Sequence, residues 1–334
     1  MYIRSIEQCI MGYAIRYERL GEMIKDLFSD NKYSSSTKIN LFIPLTELAH
    51  SLESITEGLH EIPISAAVLN LCAHYKNFFK KGYGVDCTIY LIQSTEEYRY
   101  NKTYYLDYKH KSDRRISSHI DLAWVLISTI CPYLNGVQFL TTPHESALLM
   151  MDIDNYTGSS ANNIPNLVLS KDLYNSQLTT VSSTPGAYEF IMLRPSKSNG
   201  KELSYYVTRN NIYEYFCKVR KIALSESILN LPRDGKTYSR LLALTRLPER
   251  NVKMLYGAPT ALKMLPEYNL DNCIDKFTIQ CRYNAIALDN QFTMYAYNEV
   301  MKYSGYPSLH DPDGLNEISN KYYSKNPVDF LSLM

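Results

Sequence analysis

Four short apolar runs, set between segments of helical period, constrain this chain more than any other feature. "INLFIPL" (39–45), "VDCTIYLI" (85–92), "VQFLTT" (137–142) and "PNLVLS" (165–170) are too short for helices and carry almost no polar alternation. Near-continuous apolar strands of this kind are buried on both faces, which is the habit of a parallel sheet covered by helices. The intervening segments supply those helices. "TELAHSLESITEGL" (46–59), "ISAAVLNLCAHYKNFFKKG" (64–82), "HIDLAWVLISTICPYL" (119–134) and "HESALLMMDIDN" (144–155) place apolar residues three and four apart. The second of these is expected to close on Gly82 as its C′ residue.

The rhythm then breaks. "YEFIMLRPSKSNGKELSYYVT" (188–208) holds two β-rich runs around a loop with Asn199-Gly200, the signature of an antiparallel hairpin. Beyond it the pattern is helical to the end. The expected fold class is therefore α/β: a mainly parallel sheet with helices on both faces, followed by an α-helical region. The boundaries read as an N-terminal helical extension over 1–37, an α/β domain over 38–210 and a helical region over 211–334.

Composition narrows the class of function. With 334 residues, 45% hydrophobic and 21% charged, the chain has the profile of a globular protein with a large core. No apolar stretch reaches the length of a membrane span, and the opening "MYIRSIEQCIMGYAIRYERLGEMI" reads as an amphipathic helix, so no membrane partner and a cytoplasmic setting are expected. Thirty Tyr against thirteen Gly, with abundant Asn, Lys and Ile, match the codon bias of an AT-rich genome such as a phage's; host cytoplasm and viral protein partners would then follow. The seven Cys are odd in number, form no C-x-x-C pair and fall mostly inside apolar patterns, which predicts reduced core thiols rather than a zinc site. The seven His form no ligand pair at helical spacing.

Net charge is only +1, but it is unevenly spread. Residues 99–115 hold six basic side chains (Arg99, Lys102, Lys109, Lys111, Arg114, Arg115) against Asp107 and Asp113. Residues 233–253 hold six more (Arg233, Lys236, Arg240, Arg246, Arg250, Lys253) against Asp234 and Glu249. Local basic patches in a neutral chain suit a nucleic-acid partner, though solvated loops and helix faces look the same by charge alone.

Four stretches, in order, carry a family resemblance: "YLDYKHKSDRR" (105–115), "HESALLMMDI" (144–153), "LVLSKDLYNSQL" (167–178), and "LALTRLPERNV" (242–252) with "GAPTALKML" (257–265). Together they resemble the 5′-nuclease superfamily of flap endonucleases and phage-type 5′→3′ exonucleases, within the PIN-like fold. The resemblance implies a helical arch near 99–119, an acid-bearing helix, a strand-end Ser-x-Asp motif and a helix-three-turn-helix at 241–265 that grips DNA. It assigns nucleic-acid contacts to Tyr108, Lys109, Arg114 and Arg115 in the arch, and to Gly257, Thr260 and Lys263 in the second element. There, backbone N–H groups at a helix start would receive a phosphate.

The departures concern the chemistry. The family holds two divalent ions with a cluster of carboxylates. Here the position ending the first strand is Pro44, the one after the second strand falls near Gln93-Ser94, and the paired acids of the helix motif are Ala147 and Leu148. Ser170 replaces one strand-end acid, and Arg246, Leu247 and Arg250 stand in the downstream loop. The residual acids are Glu145 and Asp172. Glu47 and Asp152 are the substitutes in reach of the motif, and Asp154 lies past the expected end of its helix. Glu145 and Asp152 are seven residues apart, roughly 10 Å along a helix, too far to share one ion. Two surviving acids predict a degenerate nuclease that binds nucleic acid, with DNA the expected form and no cofactor, or magnesium if cleavage persists. An active enzyme with a rearranged site and a purely structural module built on the same scaffold remain as alternatives. "HDPDG" (310–314) is expected to be a turn rather than a calcium loop.

Overall fold

The structure is a computed structural model that describes residues 20–22, 24, 25, 36–53, 60–94, 118–142, 146–158, 162–170, 172, 173, 175–180, 190–193, 206–234, 237, 238, 241, 242, 245, 257–264 and 311–334. Its strands are β1 (Lys38–Pro44), β2 (Asp86–Ser94), β3 (Val137–Thr142), β4 (Asn166–Leu169), β5 (Phe190–Leu193) and β6 (Tyr206–Val207). Its principal helices are α1 (Leu45–Glu53), α2 (Glu61–Tyr83), α3 (Ser118–Ile130), α4 (Ser146–Thr157), α5 (Ile212–Arg220), α6 (Glu226–Leu229), α7 (Ala258–Met264) and α8 (Pro312–Tyr322).

The six strands lie in the order β3-β2-β1-β4-β5-β6. β1, β2, β3, β4 and β5 pair in parallel, and β6 closes the sheet antiparallel to β5, as the hairpin signal predicts. Two separate cores explain the apolar strands. Ile39, Leu41 and Ile43 point into one, with Cys87, Ile89 and Leu91 beside them. Phe42, Tyr90, Ile92, Val168 and Met192 point into the other. Leucines and isoleucines of α1, α2 and α3 cover the first face, while α4, α5 and the buried Tyr238, Leu241 and Leu242 cover the second. Helices that follow β1 and β2 thus pack on one side, and the helix that follows β3 packs on the other. The change of side falls between β1 and β4.

Both chain ends contribute to the first core. Leu20 and Ile24 are fully buried there, and Tyr83 donates to the carbonyl of Gly21 at 3.1 Å. From α8 onward, Leu315, Tyr323 and Leu333 pack on the same face. Polar ties fix this segment to α2: the Tyr323 hydroxyl bonds the Ser65 hydroxyl at 2.9 Å, and Asn77 donates to Ser332 Oγ and Asp329 Oδ2.

Three expectations are corrected in detail. α2 does not stop at Gly82. It continues to Tyr83, and Gly84 takes the left-handed conformation (φ 67°) while its N–H reaches Lys80 O and the next N–H, Val85, reaches Phe79 O. A side chain at Gly82 would meet nothing within 4 Å, so only Gly84 is conformationally required. Asp154 lies inside α4, which runs to Thr157. The described part of "HDPDG", 311–314, opens a helix: Asp311 is the N-cap of α8, and its carboxylate accepts from the N–H of Gly314 at 3.0 Å.

Among the described residues no helix is long and apolar enough to cross a membrane. Cys72, Cys87, Cys131 and Cys217 are free and buried, as their apolar settings predict.

Candidate functional site

In an open α/β sheet the crevice outside the carboxyl ends of the strands, where helices change side, is the natural ligand position. Here that point lies between β1 and β4. The pairing aligns Asn40 with Asn166 and Phe42 with Val168, so continuing the register sets Ser170 level with Pro44. β1 ends on a proline and passes directly into α1, whose first turn carries Glu47. β4 ends at Leu169, and the chain turns through Ser170, Asp172 and Leu173 into a short 3-10 helix at Asn175–Thr180.

These pieces converge on Glu47. Its Oε1 accepts from the Ser170 hydroxyl and, at 2.9 Å, from the side-chain amide of Asn175. The same amide donates to Ser170 Oγ at 3.0 Å, and the backbone N–H of Asp172 does so at 3.0 Å. Ser170 therefore gives its one proton and receives two, the full capacity of a hydroxyl. The Asn175 amide must turn its NH₂ toward Glu47, because an ionised carboxylate only accepts. That orientation leaves Asn175 Oδ1 buried with no donor among the described residues. Ser170 and Asn175 are essentially inaccessible, whereas Glu47 and Asp172 are half-buried at the rim.

The second core supports the turn from below. The Ser176 hydroxyl donates to Leu173 O at 2.5 Å, so the Tyr238 hydroxyl, 2.8 Å from Ser176 Oγ, acts as donor to it. Tyr238 is fully buried, with Tyr213 and Phe216 edge-on against its ring.

Sequence reasoning reached Glu47, Ser170 and Asp172, and the fold brings the side chains of Glu47 and Ser170 together with the backbone N–H of Asp172. It missed Asn175, an ordinary loop amide in sequence whose role appears only when the 3-10 turn folds back over Ser170. Asp154 does not join them. Its carboxylate accepts from Asn166 Nδ2 at 2.6 Å, and Asn166 in turn accepts from Asn40 at 2.9 Å, at the opposite, amino end of β4. Glu145 and the arch residues Tyr108, Lys109, Arg114 and Arg115 lie outside the described residues, as does the side chain of Asp152.

In the downstream element, Ala261 and Leu262 anchor α7 in the second core, while Thr260 and Lys263 are exposed. Gly257 precedes the helix without positive φ, and its nearest contact for an added side chain is Pro259 Cδ at 3.9 Å. Nothing in the described backbone demands a glycine there.

Among the described residues the donor set at this point falls short of what a pair of divalent ions needs. Two-metal chemistry needs several acidic oxygens free to bridge cations. Among the described residues this point offers Asp172 and Glu47, and an oxygen of Glu47 is already shared between two protein donors.

No family model and no curated protein matches the sequence. Among solved structures the chain is similar to the catalytic core of Rad2 in complex with a DNA substrate. That match has 13% identity over 87% of this chain and 88% of that chain, at a TM-score of 0.40.

Proposed function

We propose that this protein is a degenerate 5′-nuclease-like protein that binds nucleic acid without cutting it. The observation that carries the reading is the state of Glu47. Oε1 of its carboxylate, the nearest substitute for the missing acids, is already engaged by two protein donors, Ser170 and Asn175. Ser170 in place of a strand-end acid also removes one negative charge that would repel a phosphate. The basic stretch 99–115 adds to this support, since in sequence it falls between Ser94, the carboxyl end of β2, and Ser118, the first residue of α3. Lysines and arginines held there would meet a phosphate backbone electrostatically, with Tyr108 available to stack on a base.

Titration of labelled duplex, single-stranded and flap DNA at two salt concentrations tests the binding. Affinity is expected to fall steeply with salt. The Lys109→Ala, Arg114→Ala, Arg115→Ala triple variant should flatten the log–log salt slope by about 2–3. No binding at low salt would overturn the reading and favour a structural role. Incubation of the same DNAs with magnesium or manganese tests the chemistry. Cleavage that disappears in Asp172→Ala would establish the rival, an active enzyme with a rearranged site.

A further inference from the structure

α2 and α3 lie side by side in the first core, with Ile64, Ser65, Ile120 and Ala123 buried close to their N-termini. Because α2 leads into β2 and α3 leads toward β3, both helices start at the carboxyl end of the sheet. Three ligand-type side chains meet where they start. His60 is the N-cap residue of α2 in extended conformation, and its side chain makes no capping bond. Glu61 is the first residue of α2, and His119 sits in the first turn of α3. Fifty-eight residues separate Glu61 from His119, yet His119 Nδ1 lies 3.3 Å from Glu61 Oε2. The imidazoles of His60 and His119 stand edge-to-face with centroids 5.8 Å apart. One ligand atom from each residue falls within 4.8 Å of the other two.

We infer that His60, Glu61 and His119 form a binding site for a divalent transition ion of the zinc type, with a fourth position open to water. The residue types argue for this chemistry. Two imidazoles and one carboxylate are borderline ligands that select zinc over magnesium, which prefers oxygen alone. The spacing argues for it too. Ligands about 2.0–2.1 Å from a tetrahedral ion stand about 3.3 Å apart. The Glu61–His119 separation already has that value. His60 is exposed and has to close by at most about 1.5 Å, within reach of a side-chain rotation.

A bare ion pair is the simpler use of two of these groups. Glu61 and His119 are about a third exposed, where such pairs contribute little. The pair also leaves His60 unexplained, although that side chain completes the set. Two helix N-termini oppose a cation here, an effect offset by the Glu61 carboxylate and screened by solvent at this exposed position. Competition from thiols is weak among the described residues. Cys72 is buried with its pKa pushed up to about 12, and Cys87 and Cys131 are pushed up by the same burial, so none offers a ready thiolate.

The test is isothermal titration of the full-length chain with zinc chloride, repeated with magnesium chloride. One zinc per chain is expected, with no competition from equimolar magnesium. Each of His60→Ala, Glu61→Gln and His119→Ala should weaken zinc binding by about tenfold or more, since even outer-shell changes cost that much. All three positions are at the surface, and circular dichroism would show the variants folded. A cobalt titration gives an independent readout, because nitrogen and oxygen ligands produce no sulfur-to-metal charge-transfer band. The inference is overturned by absence of zinc binding, by binding that survives the His60→Ala, His119→Ala double variant, or by a charge-transfer band placing the metal on cysteine.

Discussion

Two polar clusters stand at the carboxyl end of the same sheet, each centred on one glutamate, and they differ in almost every other respect. Around Glu47 the partners are neutral donors, Ser170 and Asn175, that are themselves buried and nearly saturated by one another. Around Glu61 the partners are the imidazoles of exposed His60 and partly exposed His119, ligand types that take a metal. The first is closed by the fold; the second is open to whatever solvent brings. A carboxylate's role is thus set by its neighbours: neutral donors make it structural, and basic ligands in solvent make it available.

The largest expected effect that can break this comparison is at the closed cluster. Glu47→Ala leaves the buried Ser170 hydroxyl and an Asn175 amide proton without their acceptor. A loss of about 3 kcal/mol in urea unfolding follows from two such orphans. A change below about 1 kcal/mol would mean that Glu47 is not held as described and is free for other chemistry.

Next in size is the floor of that cluster. Tyr238→Phe removes the proton given to Ser176 while leaving the ring packing intact, so a loss of about 1 kcal/mol is expected by the same measurement. A neutral result would uncouple the Asn175 turn from the helical layer beneath it.

The open cluster should behave otherwise. Without metal, the His60→Ala, His119→Ala double variant is expected to stay within about 0.5 kcal/mol of the parent. With zinc in excess, the parent alone should gain melting temperature as concentration rises, by mass action. Equal behaviour of parent and variant in zinc would erase the contrast between the two clusters.

The smallest effect concerns protons. Glu61 titrates below the ordinary carboxylate range, first because it accepts a backbone hydrogen bond and then because His119 bonds it. A lowered folded pKa means stabilisation that is present above the unfolded value of about 4.3 and is lost as pH falls through the folded value. The melting-temperature advantage of the parent over Glu61→Gln should therefore be present above about pH 4.3 and vanish on strong acidification. An advantage that instead persisted in acid would assign the effect to packing.

Much of the fold was legible in the chain. β1 and β4 read as unbroken apolar runs because each packs on two cores, and the antiparallel pairing of β5 with β6 followed the two β-rich runs of 188–208. Pro44 at the end of β1 and Ser170 at the end of β4 stood where the motif order put them, and Glu47 followed from simple proximity. Those features are local: period, propensity and spacing of a few residues suffice to specify them.

Tertiary structure decided the rest. Gly84 rather than Gly82 ends α2 because the helix runs two residues further than its pattern implies, with Tyr83 packed against the first core. Asp154 turned from a spare acid into the anchor of Asn166 once α4 ran antiparallel to β4, carrying it to the far end of the sheet. Asn175 gained its partner only when a 3-10 turn closed over Ser170. His60 and His119 are unremarkable apart in sequence, with no helical spacing to connect them. They meet because two parallel strands require two crossover helices, and helices packed on one face begin at one edge. Spacing along the chain records what a single element can do, whereas a site shared between elements exists only after the sheet has set their distance.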